Sequence, residues 1–426
     1  MARFGLGRAY IGHIFRGGAT QAGDRPFGTE AWWEAKQWAV KEADRVGIEI
    51  GFFNGPGWSQ SGGPWIEPAQ SMRFLDASET LIEGGRRIEQ HLPVPEITTY
   101  PVIGGGRPTR TGPNFGPETF QDVGVIAFRQ PATEADDIDM STVSFSSETI
   151  TSLTEEFTLT HEPQRIDFDF GGESGVQSFS ITPHQHNSIL TCVIEASEDG
   201  ETYHKLERYV EERGHQGPRN RDPILVPFPK TDAPHIRVTL SAQPRDGVVY
   251  SNMAFSRRGV LAHYARRQLG EVCPSTTPQW DAYKWPEQAA PAESSAVNST
   301  EVIILNDKMD ADGHLVWDAP EGTWVVKRLG MVPLGTQNLP ASSESRGLEV
   351  CKMSREHIRS HFVDGMVGEF FRRTPEEDRR ALKFVIADSY ETGPQNWTDD
   401  MLAVFEAHYG YSPLRFMPAL RGRVAQ

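Results

Sequence analysis

Ile48-Glu49-Ile50-Gly51-Phe52-Phe53, running directly into Asn54-Gly55-Pro56-Gly57, is a short apolar run closed by turn-forming residues, the pattern of a strand that ends in a shaped loop. Upstream, Thr29 can cap a helix, Trp32, Ala35, Ala39, Ala43 and Val46 recur at helical spacing, and Gly47 can take the left-handed conformation that ends it. Before that helix, Ala9-Tyr10-Ile11-Gly12-His13-Ile14-Phe15 is compatible with a buried strand. Together they make a βαβ unit, and a right-handed crossover sets its two strands parallel.

The same rhythm returns at Thr323-Trp324-Val325-Val326-Lys327-Arg328-Leu329. Ser354 can then cap a helix whose Ile358, Phe362, Met366 and Phe370 recur every four residues and face a core. Thr374-Pro375-Glu376-Glu377 supplies a second cap. Phe384-Val385-Ile386-Ala387 is the most apolar strand here, with both faces expected to be buried as in a parallel sheet, and it leads into Asp388-Ser389-Tyr390-Glu391. A further helix is expected from about Asp399 to Tyr409, stopped by Gly410.

Between these halves the period changes to two. Phe157-Thr158-Leu159-Thr160, Arg165 to Phe170, Ile189 to Ile194 and His235 to Leu240 alternate along short runs separated by polar turns such as Ser197-Glu198-Asp199-Gly200, which predicts an inserted antiparallel β-sandwich. A Pro/Ala/Ser-rich stretch from Pro286 to Ser299 reads as a linker, followed by strands at Glu301 to Leu305 and His314 to Trp317. The expected fold is therefore α/β, a partial (β/α)8-type barrel of about four βα units carrying that sandwich. Its parts are residues 1–131 as the first piece of the barrel, 132–257 as the sandwich, 258–322 as linker and small β region, and 323–426 as the continuation of the barrel. A closed barrel needs eight strands, so the chain is expected to be a fragment or one half of a split enzyme.

Composition narrows the partners. Lys plus Arg number 42 against 58 Asp plus Glu, a formal charge of −16, which argues against nucleic acid or an anionic membrane and is indifferent to a neutral sugar. The 40 Gly and 30 Pro indicate many turns between short elements. Cys192, Cys273 and Cys351 are too few and too scattered for a disulfide framework or a zinc cluster. The N-terminus lacks the apolar run of a signal peptide, and no stretch approaches the roughly 18 apolar residues of a membrane-spanning helix.

Three strand-end segments could carry chemistry. In Asn54 to Ile66, Trp58 and Trp65 are displayed by a loop rich in Gly and Pro; an indole can stack on a sugar face, or can plug the end of the core. After the apolar strand, Asp388 and Glu391 would sit in a partly desolvated cleft, where a raised pKa suits a general acid, although an Asp and a Glu there could equally cap a helix or pair with arginine. Gln395, Asn396 and Trp397 add hydrogen bonding and stacking suited to a sugar at the same strand end. The third segment, Gly335-Thr336-Gln337-Asn338 with Glu344, Arg346, Glu349 and Lys352, could hold hydroxyl groups or be an ordinary solvated loop. His184 and His186 share a strand face but are only two, a weak metal signal.

The segments Gly47 to Gly51, Asn54-Gly55-Pro56-Gly57-Trp58-Ser59 and Ser61-Gly62-Gly63-Pro64-Trp65-Ile66 resemble the signature loop of the α-L-rhamnosidases of glycoside hydrolase family 106. Gly347 to Ser354 resembles that family's Glu-x-Asp-Lys segment, and Asp388 to Glu391 with Gln395 to Thr398 resembles its strand-end block. The resemblance implies removal of terminal α-L-rhamnose from plant or algal polysaccharides with inversion, calcium as a possible cofactor, and a periplasmic or secreted location. It places Glu391 on the general acid and Asn54, Trp58, Trp65, Glu349 and Asn396 on pocket positions, with Asp388 and Trp397 as neighbouring substrate contacts. Cys351 stands where the family pattern has aspartate. The family's general base lies beyond these 426 residues, so a C-terminal half is the expected partner and the isolated chain is expected to be inactive or nearly so. A reading from another class is a non-catalytic carbohydrate-binding protein that uses the sandwich.

Overall fold

The structure, a computed structural model, describes residues 1–15, 25–95, 115–185, 188–213, 222–244, 247–268, 285–387, 389 and 395–426. The chain divides into two compact units: Met1–Leu75 with Ile97–Gln121 and Met331–Met401, and Asp76–Glu96 with Asp122–Gly330 and Leu402–Gln426.

The first unit is organised by three parallel strands. Arg8–Ile11 pairs with Glu49–Phe53, which pairs in turn with Leu382–Ile386. The Glu30–Val46 helix forms where its termini demand: the Thr29 hydroxyl accepts from the Trp32 amide, and Gly47 closes it at φ 74°. The buried stripe is Trp32, Trp33, Lys36, Val40 and Ala43, packed with Ile48, Ile50, Phe52, Met366, Val367 and Phe370. Burying an apolar side chain of this size contributes roughly 1.5–3 kcal/mol. The helix expected after Ser354 is two helices, Arg355–Asp364 and Met366–Arg373, because the chain turns extended at Gly365. In consequence Met366 and Phe370 are buried whereas Ile358 and Phe362 stay 38% and 37% exposed.

In the second unit, two antiparallel sheets face each other. One has the order Ile224–Thr231, Val176–Pro183, Val248–Ser256, Phe157–Leu159; the other His204–Arg213, Ser188–Ser197, His235–Gln243, Gln164–Asp169, Ser144–Ser147. Their inner faces bring Ile166, Phe168, Phe179, Leu190, Cys192, Ile194, Val238, Leu240 and Phe255 into one core. Burial pushes the Cys192 thiol up. A further sheet has the order Ile303–Ile304, Gln121–Arg129, Thr323–Pro333, Arg73–Glu83, and Arg86–His91 pairs antiparallel with His314–Ala319.

This architecture overturns the expected α/β partial barrel. Among the described residues the chain is mostly β, the parallel sheet has three strands, and the six α-helices do not alternate with strands around a ring. Thr323–Pro333, counted as a barrel strand, lies instead between Gln121–Arg129 and Arg73–Glu83. A run buried on both faces looks the same in sequence whichever strands flank it. The Leu382–Ile386 strand also departs from expectation: it is the edge of its sheet among the described residues, with Lys383 exposed and Val385 37% exposed.

Candidate functional site

The carboxyl ends of the three parallel strands lie side by side. His13 follows the first strand by two residues and Asn54 follows the second at once. The Asn54 amide donates to the Ile386 carbonyl at 2.9 Å, which ties the start of the loop to the end of the third strand. Asp388 and Glu391, which come next along the chain, lie outside the described residues, and Ser389 between them is half-buried. The Asn54 side-chain oxygen is buried without a hydrogen-bond partner among the described residues.

From Asn54 the loop is held mainly by its backbone. Gly57, at φ 85°, donates its amide to the His13 carbonyl at 3.0 Å, and a Cβ there would stand 2.6 Å from the Asn338 carbonyl oxygen. Only glycine meets both demands. The amide of half-buried Trp58 donates to the Leu339 carbonyl at 3.2 Å. Gly62 and Gly63 pair antiparallel with Glu349 and Leu348. Asn338 is fully buried; its amide group donates to the Pro56 and Ser345 carbonyls at 3.0 Å each, and its oxygen accepts from the Gly347 amide at 2.7 Å.

Glu349 is fully buried beneath this loop. Its carboxylate accepts from the Ser59 hydroxyl, from the Ser61 hydroxyl at 2.9 Å and from the Lys352 ammonium at 2.7 Å. A buried carboxylate so occupied pins the loop to the segment carrying Lys352. Trp65 stacks on His361 at 5.7 Å between ring centroids and donates its indole N–H to His361 Nδ1 at 3.1 Å. Assigned from that bond, the imidazole proton sits on Nε2, which faces the Gln60 carbonyl at 3.4 Å. Burial lowers the His361 pKa to about 4, so this ring is neutral near pH 7.

The block from Gln395 to Asp399 is also tied inward. Asn396 accepts the Leu75 amide at 2.8 Å through its side-chain oxygen, and buried Trp397 bridges to Arg73. Gln395 accepts the Lys352 amide at 2.8 Å and donates to the sulfur of buried Cys351 at 3.2 Å, while the Thr398 hydroxyl lies 3.3 Å from the same sulfur. Arg73 grips Asp399 with two 2.6 Å hydrogen bonds, and His357 Nε2 lies 2.8 Å from the same carboxylate. The Arg73 guanidinium holds the Asp399 carboxyl well below its ordinary range, at about 2.

One loop thus gathers Asn54, Trp58 and Trp65 with Glu349, and the Cys351–Lys352 segment links Glu349 to Gln395, next to Asn396 and Trp397. Sequence reasoning missed His13, Ser59, Gln60, Ser61 and His361; their only sequence signal is position, beside a strand end or inside the loop. Glu344 is exposed, and Arg346 donates to the Ala341 carbonyl at 3.3 Å. In the second unit His184 lies 2.8 Å from the Ser251 hydroxyl, and His186 lies outside the described residues. Among the described residues no three His, Cys, Asp or Glu side chains gather as metal ligands. No helix among them is long and apolar enough to cross a membrane.

Comparison with known proteins sets the chain in a carbohydrate-active family. It belongs to glycoside hydrolase family 106: the family model, described as alpha-L-rhamnosidase, matches residues 1–426. It is similar to a rhamnosidase from Novosphingobium sp. PP1Y, with 25% sequence identity and a TM-score of 0.74 over 100% of this chain and 39% of that one. It is also similar to a putative beta-glucuronidase from Formosa agariphila, 24% identical over 403 residues, which are 94% of this chain and 22% of that protein. The chain therefore spans well under half the length of either relative.

Proposed function

We propose that this chain forms part of an inverting glycoside hydrolase that removes terminal α-L-rhamnosyl residues from plant or algal polysaccharides. The observation that carries the proposal is the family match over residues 1–426, joined to the loop from Asn54, whose hydrogen bond to Ile386 sets it beside the segment that leads to Glu391. In this reading Glu391 donates a proton to the departing glycosidic oxygen, and Asp388, Asn54 and Trp58 face the sugar. Trp65, Glu349, Asn396 and Trp397 support that pocket, their hydrogen bonds going to protein partners. Inversion needs a second carboxylate to activate water on the opposite face of the ring, and the family resemblance puts it outside these 426 residues.

The test uses a protein of the relatives' full length. Glu391→Gln is expected to lower hydrolysis of a rhamnosyl polysaccharide by about 10²–10⁴-fold, with a smaller loss on an aryl α-L-rhamnoside whose leaving group needs little protonation. Undiminished hydrolysis of both substrates would sink the assignment. The 426-residue chain by itself is expected to turn over neither. Calcium belongs to the proposal through the resemblance alone, no step is routed through it, and a chelator titration of the full-length protein tests it.

A further inference from the structure

Around the ends of the first two parallel strands, three polar atoms are buried without a partner among the described residues: His13 Nε2, Asn54 Oδ1 and Gln60 Oε1. The backbones that carry them belong to one neighbourhood. The pairing of Ile11 with Phe52, carried two residues further, sets His13 beside Asn54, and the Gly57 amide bonds the His13 carbonyl. Gln60 bends back onto the same loop, its carbonyl 3.4 Å from the Cβ position of Gly55. It is 1% exposed and holds the left-handed region at φ 55°, a conformation that costs free energy in a residue with a side chain. Natural folds pair buried polar groups, so three unpaired atoms at the carboxyl end of a parallel sheet, where ligands of such sheets bind, call for a ligand that supplies hydrogen bonds.

We infer that His13 and Gln60, together with Asn54, bind hydroxyl groups of a neutral sugar ring, His13 and Gln60 being specificity-determining residues that the sequence did not suggest. The chemistry matches. Two carbonyl-type oxygens accept from hydroxyls, and the imidazole nitrogen can give or take one hydrogen bond. Burial and the neighbouring Lys36 charge push the His13 pKa down to about 2, so the ring is uncharged and suits a hydroxyl rather than an anion. His13 is also held in place, its ring 4.7 Å from Trp32 and 5.7 Å from Phe27. The inference rests on the glycosidase reading of this site and adds its sugar contacts.

The experiment titrates L-rhamnose, with D-glucose in parallel, into the 426-residue chain and into His13→Phe and Gln60→Leu, by calorimetry, with Tm recorded for each. His13→Phe keeps the ring stacked and removes the nitrogens; Gln60→Leu removes the amide at similar volume. Each variant is expected to bind rhamnose about tenfold more weakly while its Tm is held or raised, because an unpaired buried atom is gone. Binding of both sugars that is equal in all three proteins overturns the inference and leaves the rhamnosyl reading standing. Weakening seen with D-glucose and not with L-rhamnose keeps the inference and defeats the rhamnosyl reading. A chain that binds neither sugar, or variants that lose Tm and keep affinity, as internal water sites would, overturn the inference.

Discussion

Lys36→Met should stabilise this protein, and by an amount that grows as pH falls from 10.5 to 7. The Lys36 side chain lies on the buried stripe of the Glu30–Val46 helix, 4% exposed, with Nζ 4.0 Å from the Phe52 ring centroid, 4.7 Å from that of Trp32 and without a hydrogen-bond partner among the described residues. Burial lowers its pKa from 10.5 to about 7. Above pH 10.5 the amine is neutral in the folded and unfolded chains alike, and no penalty exists. Below it the unfolded chain takes up a proton that the folded chain refuses, so stability falls by about 1.4 kcal/mol per pH unit until the folded amine also titrates. The accumulated penalty at pH 7 is on the order of 4 kcal/mol before any cation–π attraction to the two rings offsets part of it. Methionine fills the same space, keeps contact with both rings and has nothing to ionise. Urea unfolding followed by fluorescence at pH 7, 8.5 and 10 should show a stability gap between variant and parent that narrows toward the alkaline end. A gap that is constant across that range, or a methionine variant less stable at pH 7, would refute the reasoning, since either means that the amine has found a partner.

Glu349→Gln should destabilise by about 3 kcal/mol, because the half-buried Lys352 ammonium loses its counter-charge on a fully buried partner; the double variant with Lys352→Met should regain most of that, and a double variant as unstable as the single one would count against the coupling. Asp399→Asn tests acid behaviour. A carboxyl held low in the folded state contributes stability that is present above its unfolded pKa of 3.8 and is lost as pH falls through about 2. Parent and variant should therefore differ at pH 7 and converge between pH 4 and 2, which acid titration of the circular-dichroism signal would reveal.

Local signals in the sequence were honest about local structure. Thr29 and Gly47 bound their helix at both ends, and Ser188–Ser197 alternates in burial as its apolar period requires. What sequence could not supply was the neighbour of each strand. Thr323–Pro333 is buried along almost its whole length, so no polar face reveals which strands it joins, and a barrel was inferred where a mainly antiparallel arrangement exists. Gly365 broke a helix whose four-residue rhythm ran straight across it, since a pattern of apolar residues does not register one extended φ,ψ pair. At the site, the loop was legible from its glycines and indoles, and Glu349 as a candidate residue, but the groups that each holds were not. Glu349 and His361 are polar residues 290 and 296 positions away in sequence from Ser59 and Trp65, the groups they hold, and only tertiary contact discloses these pairings.

The two described cysteines offer a way to watch each unit separately. Cys351 is sealed in the first unit against Gln395 and Thr398, and Cys192 in the sandwich core of the second. An alkylating reagent reaches either sulfur only when the surrounding packing opens. Peptide-resolved alkylation rates would thus act as two independent clocks, one timing the loosening around Gln395 and Thr398 and the other that of the sandwich, in a single sample without any engineered label.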